Sequence, residues 1–402
     1  QHAMKILLVA QTFTPQKEGG AELVARRAAE FLSQEHDLRV LSLRPKSDHF
    51  EHGCHGPEYV DRLPYLGSYL PTVEKNPMGP LTRMSWHLAN AYGGVSEVDL
   101  RDYLTNLAPD LIYAHNATAF LPQLGRLAHR YAIPVVLHVH DYSLACPKTS
   151  MFRKGNNCTR QCVDCRLLTQ QWQRAVNRSV TDVIAVSRFV RDRLQDLGVL
   201  PNARWHVVHN VEDTVSLDAF RAQRNSQYGF TFGYLGALTP NKGISLLIDA
   251  FLKLPKKGAR LVIGGTGRND YVNILKEKTK HHQVDWLGHV DPNAVYAQAD
   301  VMIIPSLWHE PQALVVTEAL SRGMAVIASD RGGNTEVLKK YARSALFDPD
   351  NPEMLASAMD SAMRNRGSAR AVGTDLQKAP STPSAYFDRI QRILDTAAIS
   401  QD

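Results

Sequence analysis

The chain is predicted to fold as two doubly wound α/β domains, each a Rossmann-like parallel sheet, and three observations predict it. Short, wholly apolar runs alternate with helix-period stretches along most of the sequence. The runs lack polar alternation, as strands covered on both faces do. The 402 residues suit two domains of ordinary size, and the alternation restarts beyond a polar stretch at 211–229.

In order, the first half is expected to form strands at residues 6–10, 38–43, 111–114, 135–139, 183–186 and 205–209, with helices at 21–33, 120–131 and 188–197. The second half is expected to form strands at 230–235, 260–263, 284–287, 301–304 and 325–328, with a short one at 345–347 and helices near 244–254, 271–281, 312–322 and 354–364. The boundary is placed after Asn210, dividing 1–212 from 213–383. A terminal amphipathic helix at 384–399, with Pro383 ahead of it and Ser384 as cap, is expected to return to the first domain as part of 384–402. Two segments break the alternation. Residues 45–109 are rich in His, Gly, Pro and Tyr, with helical pattern near 81–92 alone. Residues 146–168 carry four cysteines. Ligands of such sheets bind outside the carboxyl ends of the strands, so the site is expected in a cleft that the two domains face.

A hydrophobic content of 44% argues for a folded chain, and no apolar run reaches the ~18 residues of a membrane span. Met4-Lys5-Ile6-Leu7-Leu8-Val9 runs straight into a strand. It is expected to be the native start, with Gln1-His2-Ala3 a remnant ahead of it and no signal peptide. That reading implies a cytoplasmic location. The net charge of +6 is mild and scattered, which fits ordinary solubility and gives no case for a nucleic-acid partner. Five cysteines in a leaderless chain point to a reducing compartment.

The most informative residues are Glu310 and Glu318, just past the apolar run Val301-Met302-Ile303-Ile304-Pro305. Pro311 reads as a first helical residue. A helix from there would separate the two carboxylates by on the order of 12 Å along its axis. Such carboxylates cannot flank one bond, but they can grip two ends of an elongated ligand. The free amides of the helix start, from Gln312 onwards, would form a diphosphate seat between them. A nucleotide-sugar has that layout. Lys242, at the helix start following Gly233-Tyr234-Leu235-Gly236, can reach a phosphate held there. The plainer reading is a solvated lysine. The loop Gly264-Gly265-Thr266-Gly267 would let backbone approach a ligand, or would simply make a tight turn. Gly19 and Gly20 take the corresponding place in the first domain, after the first strand. His138-Val139-His140-Asp141 ends the strand at 135–139, where a histidine can bond a sugar hydroxyl or phosphate oxygen, or serve structure alone.

Cys146, Cys158, Cys162 and Cys165 fit a tetrahedral structural zinc site, with free or oxidised thiols and an iron–sulfur cluster as alternatives. His49, His52, Cys54 and His55 read as a solvated loop. Asp348-Pro349-Asp350 is explained by turn and cap chemistry, so no catalytic metal is expected.

Jointly these residues resemble glycosyltransferase family 4, retaining enzymes of the GT-B fold. Glu310 and Glu318 match its Glu-x7-Glu motif, Lys242-Gly243 its Lys-Gly, Gly19-Gly20-Ala21-Glu22 its first glycine loop, and His140-Asp141-Tyr142 its His-Asp-Tyr loop. Weaker matches are Ala185-Val186-Ser187, Val208-His209-Asn210-Val211, and Ser329-Asp330-Arg331-Gly332-Gly333 with Glu336. The resemblance implies two Rossmann-like domains and a nucleotide-diphosphate-sugar as donor. Catalysis would fall to Glu310 at the donor sugar, Lys242 at the leaving diphosphate and His140 facing the sugar. Glu318 would bind the ribose, and the amides of Ala313, Leu314 and Val315 the phosphates. Gln312, Gly19, Gly20, Gly236 and Gly265 would complete the donor site. The family's arginine after the glycine of the second-domain turn is Ala237 here, and its Phe-Gly is Gln312-Ala313. Arg268 or another basic residue is expected to compensate.

The expected activity is transfer of a hexose-type sugar, with retention, to a hydroxyl of a glycan, lipid-linked or small-molecule acceptor. A lipid-linked acceptor would bring peripheral contact with the inner face of a membrane. Residues 45–109 are expected to shape the acceptor site. Two rivals remain: a nucleotide-sugar epimerase or phosphorylase of the same architecture, and a non-catalytic nucleotide-sugar-binding protein, for which Ala237 speaks.

Overall fold

The structure is a computed structural model that describes residues 3–15, 19–45, 59–67, 79–212, 229–255, 258–367 and 382–399. It divides into two compact units. One comprises the chain up to Met151, Cys158–His209 and the chain from Ala385; the other comprises Phe152–Asn157 and Asn210–Ser384. No linear boundary expresses this, because a six-residue hairpin from the first half of the sequence belongs to the second unit.

The first unit holds a seven-stranded parallel sheet. Its strands are β1 (Lys5–Ala10), β2 (Asp37–Arg44), β3 (Val60–Pro64), β4 (Leu111–His115), β5 (Val135–Val139), β8 (Val180–Ala185) and β9 (Arg204–Val207), in the order β3-β2-β1-β4-β5-β8-β9. Helices α1 (Gly20–Leu32), α2 (Pro80–Tyr92), α3 (Glu97–Leu107), α4 (Leu121–Arg130), α5 (Val163–Val176) and α6 (Arg188–Asp196) accompany it. The two strands β6 (Phe152–Arg153) and β7 (Asn156–Asn157) form the antiparallel hairpin. The second unit repeats the plan with β10 (Phe230–Leu235), β11 (Ala259–Gly264), β12 (Val284–Gly288), β13 (Val301–Ile304), β14 (Ala325–Ser329) and β15 (Ser344–Phe347), ordered β12-β11-β10-β13-β14-β15 and all parallel. Its helices are α7 (Ile244–Leu252), α8 (Asn269–Thr279), α9 (Pro292–Tyr296), α10 (Leu314–Ser321), α11 (Asn334–Leu338) and α12 (Pro352–Arg364). In both sheets the order reverses beside the first strand, the doubly wound pattern that opens a crevice at a topological switch point.

The apolar runs behave as continuous burial requires. On β13, Val301 and Ile303 enter one hydrophobic cluster with Phe230, Phe232 and Leu261. Met302 and Ile304 enter the other, with Val316, Leu320 and Val326. Successive residues point to opposite faces, so both faces are dry, and each such side chain contributes about 1.5–3 kcal/mol.

Seven elements escaped the sequence reading: β3, α3, α5, the hairpin strands β6 and β7, and the short helices α9 and α11. β3 and α3 lie in the stretch expected to be irregular. Ser96 caps α3, its hydroxyl accepting from the Asp99 amide, and Leu100 and Leu104 are buried. α5 occupies the end of the cysteine-rich segment and buries Thr169, Trp172 and Val176. Gly125 of α4 lies so close to it that a Cβ would stand 2.7 Å from the Ala175 carbonyl. The terminal helix α13 (Pro383–Ile399) packs into the first unit through Tyr386, Ile390, Leu394 and Ala397. Phe387 stacks on Phe31 at 4.6 Å, and Gln391 bonds His36 at 2.9 Å. The His49, His52, Cys54 and His55 group and the Gln16-Lys17-Glu18 part of the first glycine loop lie outside the described residues.

Candidate active site

In the second unit, three loops meet at the carboxyl ends of β10, β13 and β14. The loop after β10 runs through Gly236 to a 3-10 turn, Pro240–Lys242, that precedes α7. Lysine therefore closes this turn; it does not open the helix as the sequence reading had it. Gly243 follows with φ +72°, and a Cβ there would meet the Pro305 carbonyl oxygen at 1.8 Å. Glycine alone permits that backbone approach. The Asn241 carbonyl accepts from the amides of Leu307 (2.9 Å) and Trp308 (3.3 Å), which ties the loop after β13 to the loop after β10.

Glu310 sits where they join and is 4% exposed. Its carboxylate accepts from Lys242 Nζ (2.5 Å), Ser306 Oγ (2.6 Å) and Trp308 Nε1 (2.8 Å). Lys242 also lies over the Trp308 ring, 5.2 Å from its centroid. A carboxylate this buried needs such partners. Its own carbonyl accepts from the Gly333 amide at 2.7 Å, so the loop after β14 fixes the main chain as well.

The helix starts later than expected. Pro311 and Gln312 precede it, Ala313 is its N-cap, and Leu314 is its first residue. Glu318 therefore stands about one turn inside, and the axial spacing reckoned from Pro311 does not apply. One expected phosphate donor is engaged elsewhere, and so is the side chain of another. The Ala313 amide donates to Asn334 Oδ1 (2.8 Å), and the Gln312 side chain is exchanged with the main chain of Asn210 (2.7 and 3.2 Å). Leu314 and Val315 keep first-turn amides without an acceptor among the described residues, as helix starts do. Glu318 accepts from the Tyr296 hydroxyl, which burial and the neighbouring carboxylate hold well above its usual pKa.

The remaining donor-side expectations divide. The amides of Gly236 and Gly265 are bonded to the carbonyls of Gly264 (3.0 Å) and Gly288 (2.7 Å), so these glycines shape the turn and offer no free donor. A Cβ on Gly265 would meet the Gly236 carbonyl oxygen at 1.8 Å. Arg268 is 84% exposed and paired with Asp270. Arg331, in the loop after β14, donates through Nη1 to the Leu307 carbonyl at 2.6 Å, and its other end pairs with Asp350. The hairpin residue Asn157 brackets the same peptide, donating to the Leu307 carbonyl (2.9 Å) and accepting from the His309 amide (2.8 Å). Ser306, Trp308, Asn334, Tyr296 and Asn157 went unrecognised in the sequence. Ser306 and Trp308 had a weak signal in their closeness to Glu310, and the others had none.

In the first unit, the switch point between β1 and β4 carries a cavity of about 200 Å³, lined among others by Glu22, Trp86, His87, Asn116, Asp141 and Trp172. Asp141 accepts from the Ser143 amide (2.7 Å) and from Asn116 Nδ2 (3.3 Å), and burial raises its pKa to about 6. Gly19 is the N-cap of α1, and its amide donates to Glu22 Oε2 at 3.0 Å instead of standing free; Gly20 is the first helical residue. His140 Nε2 bonds His115 Nδ1 at 3.0 Å, and its ring stacks on His138 at 4.3 Å. His138 Nδ1 in turn bonds the Tyr113 hydroxyl at 2.7 Å. Burial pulls all three histidines down, His140 to about 3. They are neutral near pH 7, so His140 serves as a hydrogen-bonding group and not as a cation. Their nitrogens approach one another, but the His138 and His140 rings lie within 22° of parallel. Lone pairs lie in the ring planes, so stacked rings do not converge on one ion.

The sequence profile of the family described as "Glycosyl transferase 4-like domain" matches residues 19–211, and that of "Glycosyl transferases group 1" matches residues 218–378. The chain is a glycosyltransferase of the GT-B type. An "uncharacterized 42.6 kDa protein in cps region" of Klebsiella pneumoniae is 24% identical over 340 residues, 83% of this chain and 87% of that one. The O-antigen biosynthesis glycosyltransferase WclY of Escherichia coli is 26% identical over 174 residues, 42% of this chain and 48% of its own length. Among solved structures, HepE of Anabaena in complex with UDP and glucose superposes with a TM-score of 0.70 at 20% identity, covering 98% of this chain and 100% of that one. This glycosyltransferase therefore shares its fold with HepE.

Proposed function

We propose that the enzyme transfers a hexose, with retained anomeric configuration, from a nucleotide-diphosphate-sugar to a sugar hydroxyl. The observation that carries the proposal is the Lys242–Glu310 pair beside the free Leu314 and Val315 amides at the switch point of the second unit. A diphosphate at those amides draws on the positive helix start, and Lys242 supplies the cation. Glu318, one turn further along α10, receives the ribose hydroxyls, and Glu310 accepts from a hydroxyl of the sugar. UDP and glucose in the HepE structure support a donor of this class.

The bond from the sugar C1 to the diphosphate oxygen breaks, and the acceptor oxygen bonds C1 on the same face. The acceptor's proton passes to the departing diphosphate oxygen. The charge that develops on the diphosphate meets donors already in place, which removes the need to reorganise solvent.

The first-unit cavity supports a sugar as acceptor. Trp86 and Trp172 offer apolar ring faces, and Glu22, Asn116 and Asp141 offer directed polar atoms. Trp86 and His87 come from the segment 45–109 expected to shape this site. The outer faces of the same two helices leave Leu81, Met84 and Leu88 of α2 and Val163 and Leu167 of α5 exposed, with Arg83, Arg166 and Arg174 outnumbering Asp164. That combination suits an anionic bilayer, and with it a lipid-linked acceptor. The test is incubation with a panel of nucleotide-sugars and oligosaccharide acceptors, with the anomeric proton of the product read by NMR. Transfer with retention is expected; transfer with inversion, or none with any donor, would overturn the proposal.

A further inference from the structure

The cysteine-rich segment is not used by the proposed chemistry, yet the fold gathers it. Cys162 is the N-cap of α5 and Cys165 lies in its first turn, so both sulfurs project at the same helix end. Their Sγ atoms are 3.3 Å apart. Cys165 also donates its thiol to Cys146, which is buried. Met151 and Lys148 also lie beside the Cys146 sulfur. Met151 reaches the fourth cysteine through its carbonyl, which accepts from the Cys158 amide at 2.7 Å. One residue thus ties Cys146 to Cys158 across the base of the hairpin, and one helix start ties Cys162 to Cys165.

We infer that Cys146, Cys158, Cys162 and Cys165 bind a single structural zinc ion as four thiolates. Tetrahedral zinc with Zn–S bonds of about 2.3 Å sets its sulfurs about 3.8 Å apart, close to the spacing already present between Cys162 and Cys165. A redox dithiol needs two sulfurs, whereas here Cys162, Cys165 and Cys146 follow one another and the main chain of Cys158 is bonded to Met151. Binding releases the thiol protons to solvent and involves no change of oxidation state. Zinc would brace a loop that has few buried side chains of its own. Asn157, the residue before Cys158, would be held in the position from which it bonds Leu307 and His309.

The experiment is elemental analysis of the full-length reduced protein purified without chelator. About one zinc ion per chain is expected, with loss in Cys162→Ser/Cys165→Ser and retention in Cys54→Ser and Asp164→Asn. Because the double variant could fail to fold, the wild-type protein is also exchanged into cobalt. An intense thiolate-to-cobalt charge-transfer band with tetrahedral ligand-field absorption supports the site. Iron in place of zinc, a Cys162–Cys165 disulfide in metal-free folded protein, or reaction of all four thiols with a thiol reagent in the presence of added zinc would overturn it. These readouts do not depend on transferase activity.

Discussion

Replacing Lys242 by Met removes the cation from a carboxylate that has almost no access to water. Breaking a buried ion pair costs about 3–5 kcal/mol when nothing else serves the remaining charge. Here Ser306 and Trp308 still donate to Glu310, and Lys242 itself keeps 27% of its side chain exposed. Both facts reduce the cost, to about 2–3 kcal/mol. For a unit of this size that is a fall in melting temperature of roughly 5–10 °C. The loss should depend on the charge at residue 310. In a Glu310→Gln background the same Lys242→Met substitution strands no carboxylate, and the further fall should be less than about 2 °C. Thermal unfolding of the four proteins of this cycle, followed by circular dichroism, is the assay. An equal loss in both backgrounds would refute the reasoning, because Lys242 would then act through packing on Trp308 and not through Glu310. The kinetic counterpart is a fall in kcat of about 10²–10³-fold for Lys242→Met, from lost stabilisation of the leaving diphosphate.

Further expectations follow from other parts of the site. Glu318→Gln should raise the donor KM by about 10- to 100-fold with a smaller change in kcat, whereas Tyr296→Phe should leave KM within about threefold; equal effects on both parameters would contradict a ribose-binding role. Stability should rise between pH 5 and 6. The unfolded chain protonates His115, His138 and His140 below their ordinary pKa while burial keeps the folded forms neutral, and the folded state retains one proton on Asp141, whose pKa is raised to about 6. Near pH 5 unfolding then takes up about two protons net, a slope of about 2.7 kcal/mol per pH unit, and calorimetry in buffers of different ionisation enthalpy would count them. The histidine contribution is fully present above pH 6.5, and a stability that grew on acidification from pH 6 to 5 would contradict the assignment. Sedimentation with anionic vesicles should carry the enzyme down, and Leu81→Glu/Leu167→Glu should leave it in solution; equal sedimentation of both would remove α2 and α5 from membrane contact.

The fold was legible wherever burial on both faces left a mark on composition. The strands of both sheets fall within a few residues of the apolar runs because a parallel strand between two helical layers has no polar face to hide it. β3, whose sequence Val60-Asp61-Arg62-Leu63-Pro64 reads as half polar, lies at the sheet edge where that rule relaxes. α3 carried a legible cap in Ser96, but its buried face is only Leu100 and Leu104, too little to stand out beside a Gly- and His-rich segment. Glu310, Glu318 and Lys242 stood out in the sequence because their residue types suit the proposed chemistry at that spacing. The neighbours that decide which atoms remain free, Asn334 at the Ala313 amide and Asn210 at Gln312, are 21 and 102 residues distant in sequence. Only the folded chain could show that the first-turn amides left without an acceptor among the described residues are those of Leu314 and Val315. The same holds for Asn157, which arrives on a hairpin from the other half of the sequence.

A crystal structure of the protein bound to a nucleoside diphosphate tests the central claim most directly. The account predicts phosphate oxygens within hydrogen-bond reach of the Leu314 and Val315 amides, Lys242 drawn toward them, and ribose hydroxyls on Glu318. A diphosphate bound at any other helix start, with Lys242 still closed on Glu310 and the entrance of α10 vacant, would contradict it.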